Sequence, residues 1–282
     1  IVPAAFNSRG IGQSHRPESR EKVMAGLSTL AYAQARMQSR YGARAEADVW
    51  LKLHNIHDLG SYLQTAQQTP LRPWVQGLSR IHSSHDLELA LRQKYRRHVD
   101  EVASWLPSDW QAPVRWLKTL VDLPALHYLM SGGEPLGWMR ADPVLNAYTA
   151  DQTNDRLRAL RGAGSRIMVD EWQQSRALLS GWFLQWQDLR PKSMSFERGL
   201  RVFERQMRDQ FDRLTTQQSP ASGQDYEVLL DRLRLIFRRY AFEPTAVCAY
   251  LFVVATDLHH IRSDLMQRLF FERGQVLEED LR

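Results

Sequence analysis

Along most of the chain apolar residues return every three or four positions, the spacing that lines one face of an α-helix, and stretches alternating at every second position are sparse. Between residues 23 and 41, Leu27, Leu30, Ala31, Gln34, Met37 and Tyr41 recur at such steps, with Arg36 and Arg40 on the other side. The pattern predicts an amphipathic helix ending near Gly42. Shorter helices are expected over residues 45–53 and from His57, the latter carrying Leu59, Tyr62, Leu63 and Ala66 until Pro70 and Pro73 stop it. Ser84, ahead of Asp86, Leu87 and Glu88, is the expected cap of a long helix reaching Trp105, whose buried stripe is Leu87, Leu91, Tyr95, Val99, Val102 and Leu106. Pro107 ends it, and Ser108 and Asp109 are candidate caps for the next helix.

A further helix is expected over residues 114–130, kinked or split by Pro124, which lacks an amide donor. Residues 131–143, rich in glycine and proline, read as a loop. A short helix over 153–160 is followed by a break at Gly162 and Gly164. Helices are then expected over 167–189, 195–214, 225–240 and 244–271, with a polar loop at 215–224 and a separate terminal helix from Gln275. No Asn-Gly or Asp-Gly hairpin turn occurs. The fold class is all-α.

Composition narrows this to a folding chain, since 43% hydrophobic and 24% charged residues are ordinary for a globular protein. The longest apolar run, residues 246–255, is about half of the roughly twenty residues that cross a bilayer. Residues 1–22 lack the continuous apolar region of a secretory signal, and residues 1–23 are expected to form a disordered arm. Isoleucine at position 1 marks a candidate fragment boundary, with Met24 nearer the functional start. The one cysteine, Cys248, excludes an internal disulfide and, among apolar neighbours, reads as a buried thiol suited to a reducing compartment.

Lys and Arg outnumber Asp and Glu by 37 to 32, a net charge of +5 carried mostly by arginine. Arg92, Arg96 and Arg97 form one cluster, Arg198, Arg201, Arg205 and Arg208 a second, and Arg232, Arg234, Arg238 and Arg239 a third. Such stripes either track phosphates or are solvated helix faces paired with Glu197, Glu204, Asp209 and Asp231. No nucleic-acid recognition motif accompanies them.

Catalytic signatures are missing from the sequence: no phosphate loop, dinucleotide fingerprint or Gly-x-Ser-x-Gly elbow occurs. His54 with His57, and His82 with His85, have His-x-x-His spacing but no third ligand at a telling distance, so no metal is expected. Asp257, His259 and His260 point in different directions on one helix and do not form an acid/base group. No cofactor and no small-molecule substrate are expected. Trp105, Trp110 and Trp116 flank a turn, and Trp182 and Trp186 share a face of a helix that also holds Trp172; core packing is the commoner role of such residues and partner docking the other.

Several motifs resemble those of one family. Phe242-Glu243-Pro244, Val247 to Leu251, and Asp257-Leu258-His259-His260-Ile261-Arg262 resemble the C-terminal signature of the C/d central-stalk subunits of archaeal-type and vacuolar-type rotary ATPases. His260 stands in that family's Asn position and Ile261 in its Leu position, while Arg262 is kept. The segment from Phe270 through Glu278 to Leu281 resembles the family's ending. Tyr32 to Met37 resembles its opening helix, with Gln34 in the place of Asn, and Asp122, Leu123 and Leu126 resemble an internal motif in which Ala125 replaces Asn and Pro124 is a departure. Asp122-Leu123 with Leu126 also echoes Asp257-Leu258 with Ile261, each on a helix expected to be entered from a proline, Pro113 or Pro244.

The resemblance covers residues 24–132 and 225–282. It implies a funnel-like, multi-lobed array of related three-helix units in a pseudo-threefold arrangement. The expected division is an N-terminal lobe at 24–132, a divergent central lobe at 133–224, and a C-terminal lobe at 225–282 closing against the first. The implied function is a non-catalytic coupling subunit of an ATP-driven proton or sodium transport complex. It would sit peripherally on the cytoplasmic face of a membrane, between a proteolipid ring and the central axle. The motif residues Tyr32, Arg36, Asp122, Leu126, Tyr250, Asp257 and Arg262 are then expected to hold lobes together or to dock. The alternative is a basic helical adaptor or nucleic-acid-binding protein without a motor role.

Overall fold

A computed structural model describes residues 17–79, 83–130, 132–152, 155–156, 158–159, 175–192, 196–216 and 223–279. Helices α1 (Pro17–Gly42), α2 (Ala47–His54), α3 (Leu59–Ala66), α4 (Arg72–Val75) and α5 (Ser84–Ser104) form the N-terminal part. They are followed by α6 (Ser108–Trp116), a 3₁₀ segment (Leu117–Asp122), α7 (Leu123–Met130), α8 (Gly137–Ala141) and a 3₁₀ turn (Asn146–Tyr148). After α9 (Ser175–Leu189) come α10 (Glu197–Thr216), α11 (Gly223–Arg239) and α12 (Pro244–Glu279). Among the described residues there is no strand, so the all-α reading holds.

The six predicted stripe residues of α5 are all buried. Its cap is Ser83 rather than Ser84: Ser83 has extended backbone and its Oγ accepts from the His85 amide at 3.1 Å, whereas Ser84 already lies inside the helix. Residue 107, a proline, occupies the cap position of α6 with no side-chain bond, so neither Ser108 nor Asp109 acts as predicted. Pro113 lies within α6 instead of opening a helix. The split at Pro124 is present. The chain tightens to 3₁₀ geometry and restarts at Leu123, which places the donor-less proline in a first turn where no intrahelical partner is needed.

Four other expectations are corrected. Residues 17–23 are helical, not part of a disordered arm; proline as the first residue of α1 costs no backbone bond. The predicted loop at 131–143 contains α8, which buries Trp138 and Met139 and is too short to show a period. Both ends of the predicted loop at 215–224 are helical, α10 running to Thr216 and α11 starting at Gly223. No break precedes Gln275, because Gly274 costs a helix interior only about 1 kcal/mol and does not end it alone. Residues 1–16, His82, Gly162, Gly164, Trp172 and half of the predicted helix over 153–160 lie outside the described residues.

Helix α12 is the spine. Its segment from Ala246 to Val254 is buried on all sides, and the helix touches α1, α3, α5, α10 and α11. One continuous apolar cluster runs from Leu30 of α1 to Leu265 of α12 and draws on all three stretches of the predicted division. The tryptophans settle into it. Trp182 and Trp186 are fully buried and stacked, and Trp182 meets Trp116 while Trp186 meets Phe203, whose ring in turn meets Phe252 of α12. Their indole N–H groups donate to Thr119 Oγ1 at 2.7 Å and to the Pro113 carbonyl at 3.1 Å, so burial leaves neither donor unsatisfied.

Candidate functional site

A long helix whose opening turns are apolar on every side needs polar ties further along to fix its register, and α12 has them. Asp257 accepts both Nε and Nη2 of Arg44, at 2.6 and 2.5 Å; Arg44 lies just beyond α1. Burial works against the Arg44 charge, but the Asp257 carboxylate outweighs it and holds the guanidinium's pKa above its ordinary value. Five residues on, Arg262 donates to Glu88 of α5, which also accepts Arg92 Nε at 2.9 Å. Near the far end, Arg268 donates to the carbonyls of Leu53 and Ile56 at 2.9 and 2.7 Å, and Tyr62 donates to Asp264 at 3.2 Å. A plain helix terminus, the α2 end at Leu53, thus receives the cation that its dipole favours.

Toward the start of α12, Tyr250 faces His98 of α5. His98 Nε2 lies 3.1 Å from the Tyr250 hydroxyl and Nδ1 lies 3.4 Å from Arg40 Nη1. Arginine can only donate, so Nδ1 is the acceptor and Nε2 carries the proton. Burial, reinforced by the neighbouring Arg40 charge, lowers the His98 pKa to about 4 and keeps the ring neutral. Arg40 in turn makes two bonds to Glu101, at 2.9 and 2.6 Å.

The predicted motif residues fall into three places. Tyr250 and Asp257 flank one cleft, and Arg262 is one and a half turns beyond them. Tyr32 and Arg36 form an adjoining surface patch: Arg36 donates to the Tyr32 hydroxyl at 2.7 Å, lies over the Trp105 ring at 4.4 Å and approaches Glu101 at 3.8 Å. Asp122 and Leu126 are buried elsewhere. There Asp122 accepts Arg92 Nη1 at 2.8 Å and Arg96 Nη2 at 2.6 Å, and Arg96 Nη1 reaches Asp142 at 2.9 Å. Burial pushes the Asp122 carboxyl above its ordinary range while the two guanidiniums pull it back. Arg92 and Arg96 are therefore not members of a solvated stripe; Arg198, Arg201 and Arg205 of the second cluster are exposed, as a solvated face requires.

Sequence reasoning did not single out Arg44, Glu88, His98, Glu101 or Asp142. Arg92 and Arg96 carried a readable signal, each standing one residue from Leu91 or Tyr95 of the buried stripe. Asp142 carried none, since it acts by accepting the amides of Val144 and Leu145 while holding Arg96.

Arg44 and Asp257 also form a wall between two concavities. On one side a cleft of about 420 Å³ is bounded by Arg40, Trp74, Lys94, Arg97, His98 and Tyr250. On the other a groove of about 790 Å³ includes Glu46, Trp50, Glu227, Asp231 and His260. His260, three residues from Asp257 in sequence, stacks on Trp50 at 4.3 Å. In the cleft, burial and after it the Arg97 charge lower the pKa of the Lys94 ammonium. His98 has both nitrogens engaged, and burial pushes the Cys248 thiol up to about 12. The arrangement clamps α12 to the N-terminal helices. The chain matches no family model, no curated protein and no solved structure.

Proposed function

We propose that this chain is a non-catalytic coupling subunit of the C/d central-stalk type, transmitting force between an axle and a membrane proteolipid ring in an ion-transporting rotary ATPase. In this reading its helices belong to a multi-lobed funnel, the C-terminal segment closes against the N-terminal one, and the chain sits peripherally on a cytoplasmic membrane face. The observation that carries it is the set of ties between α12 and the N-terminal helices through Arg44–Asp257, Glu88–Arg262, His98–Tyr250 and Tyr62–Asp264, partners 152 to 213 residues apart. A part that passes torque must resist shear between its first and last helices. Directional charged bonds added to a close-packed core oppose sliding better than apolar contact alone. Among the described residues no helix is long and apolar enough to cross a membrane, which agrees with a peripheral seat.

The test is isolation of the tagged full chain from detergent-solubilised membranes of its own cell. Expected is recovery of a proteolipid ring and axle subunits in fixed proportion, together with loss of ATP-driven ion pumping when the chain is deleted. Recovery of the chain alone, with pumping unchanged by its deletion, would sink the motor reading.

The exposed Arg198, Arg201 and Arg205, spaced along one side of α10, favour a second reading as a basic adaptor on nucleic acid. Duplex affinity falling steeply with salt, and reduced by Arg201→Glu, is the outcome that reading requires.

A further inference from the structure

The 420 Å³ cleft has an uneven charge. Its cations are Arg40, Arg44, Lys94 and Arg97, and its carboxylates are Glu101 and Asp257. Each carboxylate is already taken up by its own arginine in a two-bond pair. His98 between them is neutral. Lys94 and Arg97 are left over. Lys94 Nζ donates to the carbonyls of Pro73 at 3.1 Å and Gln76 at 2.8 Å, uncharged acceptors that fix the ammonium at the rim without neutralising it. Arg97, three residues along the same helix, is exposed and has no carboxylate partner among the described residues. Burial first, and then the nearby Arg97 charge, lowers the Lys94 pKa.

The lining also includes the apolar residues Leu71, Trp74 and Val254. An occupant must therefore bring negative charge and apolar surface side by side. A bare inorganic anion would answer the two cations but leave the apolar residues of the lining without a partner. We propose that this cleft is the docking site for an acidic segment of a partner protein, in which one or two Asp or Glu carboxylates on Lys94 and Arg97 adjoin an apolar side chain laid against Trp74 and Val254. Two further devices suit this role. The Arg40–Glu101 and Arg44–Asp257 pairs satisfy both carboxylates of the lining, and the neutral His98–Tyr250 contact adds no competing charge. The inference deepens the coupling reading by naming where a partner seats, and it needs only that the partner is a protein.

The experiment uses the purified full chain and a fluorescein-labelled peptide of sequence Glu-Leu-Glu-Glu-Leu-Glu, followed by anisotropy at low ionic strength. Expected is saturable binding that weakens about tenfold or more with Arg97→Glu and less with Lys94→Gln, and stays within about twofold with Arg201→Glu, a charge change outside the cleft. Melting temperature and circular dichroism check that the variants fold; Arg97, exposed and without a carboxylate partner among the described residues, is not needed for stability. The proposal is overturned by no binding up to about 1 mM peptide, by equal losses from Arg97→Glu and Arg201→Glu, or by inorganic phosphate displacing the peptide more effectively than sodium chloride of the same ionic strength, which would mark a free-anion site. Failure of the motor reading shows instead in the membrane isolation, so the two can fail separately.

Discussion

Arg44 and Asp257 are 213 residues apart in sequence and joined by two hydrogen bonds of 2.6 and 2.5 Å, with side chains only 14% and 12% exposed. A pair this sheltered differs from a surface ion pair because deleting one member leaves a charge that water cannot reach freely. Asp257→Ala is expected to cost about 3 kcal/mol in urea unfolding. Swapping the charges, Arg44→Asp with Asp257→Arg, should recover part of that loss. A single variant within about 0.5 kcal/mol of the parent would show that the pair contributes no more than an exposed contact.

The Asp122 site sharpens the same contrast. Asp122 is 2% exposed and shared by two arginines, so Asp122→Ala removes a carboxylate from each of two buried guanidiniums, leaving Arg92 with Glu88 and Arg96 with Asp142, and is expected to cost about 3 kcal/mol. Glu101 also faces two arginines, Arg36 and Arg40, but is 43% exposed; Glu101→Ala is expected to cost below about 1 kcal/mol. Denaturant midpoints of the two variants, measured side by side, decide whether burial or partner count governs these networks. Equal losses would contradict the burial argument.

The elements that sequence periodicity located well are those whose stripe is long. Six residues at helical spacing from Leu87 to Leu106 leave one way to bury them, and all six are buried. Gln34 shows the limit of the method. It falls on the apolar face of α1 and is 1% exposed because its Oε1 accepts the Phe242 amide at 3.3 Å across the molecule. Phe242 itself has φ 67°, a conformation that a bulky residue avoids, and nothing local in Tyr-Ala-Phe-Glu-Pro announces it. Periodicity tells which face of a helix is buried and is silent on which neighbour covers it. Asp257 and Arg262 are picked out by the family resemblance, as positions only, and neither it nor the periodicity points to their partners Arg44 and Glu88. The short α8 and the Ser83 cap escaped for a different reason, since each depends on a few residues whose choice is made by tertiary packing.

Gly199, in the first turn of α10, marks the closest approach of that helix to the corner between α11 and α12. A Cβ there would stand 2.5 Å from Thr245 Oγ1 and 2.8 Å from both Glu243 Oε2 and Tyr240 Cδ1. Alanine usually stabilises a helix over glycine by about 1 kcal/mol. Here the clash with a fully buried threonine reverses the sign, and Gly199→Ala is expected to cost about 1–3 kcal/mol. Adding Thr245→Ala should relieve part of the loss, a non-additivity that thermal unfolding of the three variants measures directly. A stabilised Gly199→Ala would mean that the corner yields freely.

His98 makes stability depend on pH in a direction opposite to a solvent-paired histidine. It meets Arg40 of α1, Glu101 of its own helix, Trp74 of α4 and Tyr250 of α12; the arginine and the burial both disfavour its protonation. Its pKa is about 4 in the folded chain against 6.5 for a free side chain, so as pH falls below 6.5 the unfolded chain takes up the proton first. Stability is therefore full above the free value and is lost between 6.5 and 4, by about 3 kcal/mol over the whole window. His259, also lowered by burial, adds a smaller change of the same sign, whereas Glu101, held low by Arg40, contributes its loss only below its ordinary value of 4.5. Urea unfolding at pH 7, 6 and 5 is expected to show a steady fall that His98→Gln largely flattens, since glutamine cannot titrate. Parallel slopes for parent and variant would assign the proton uptake to another group and remove His98 from the account.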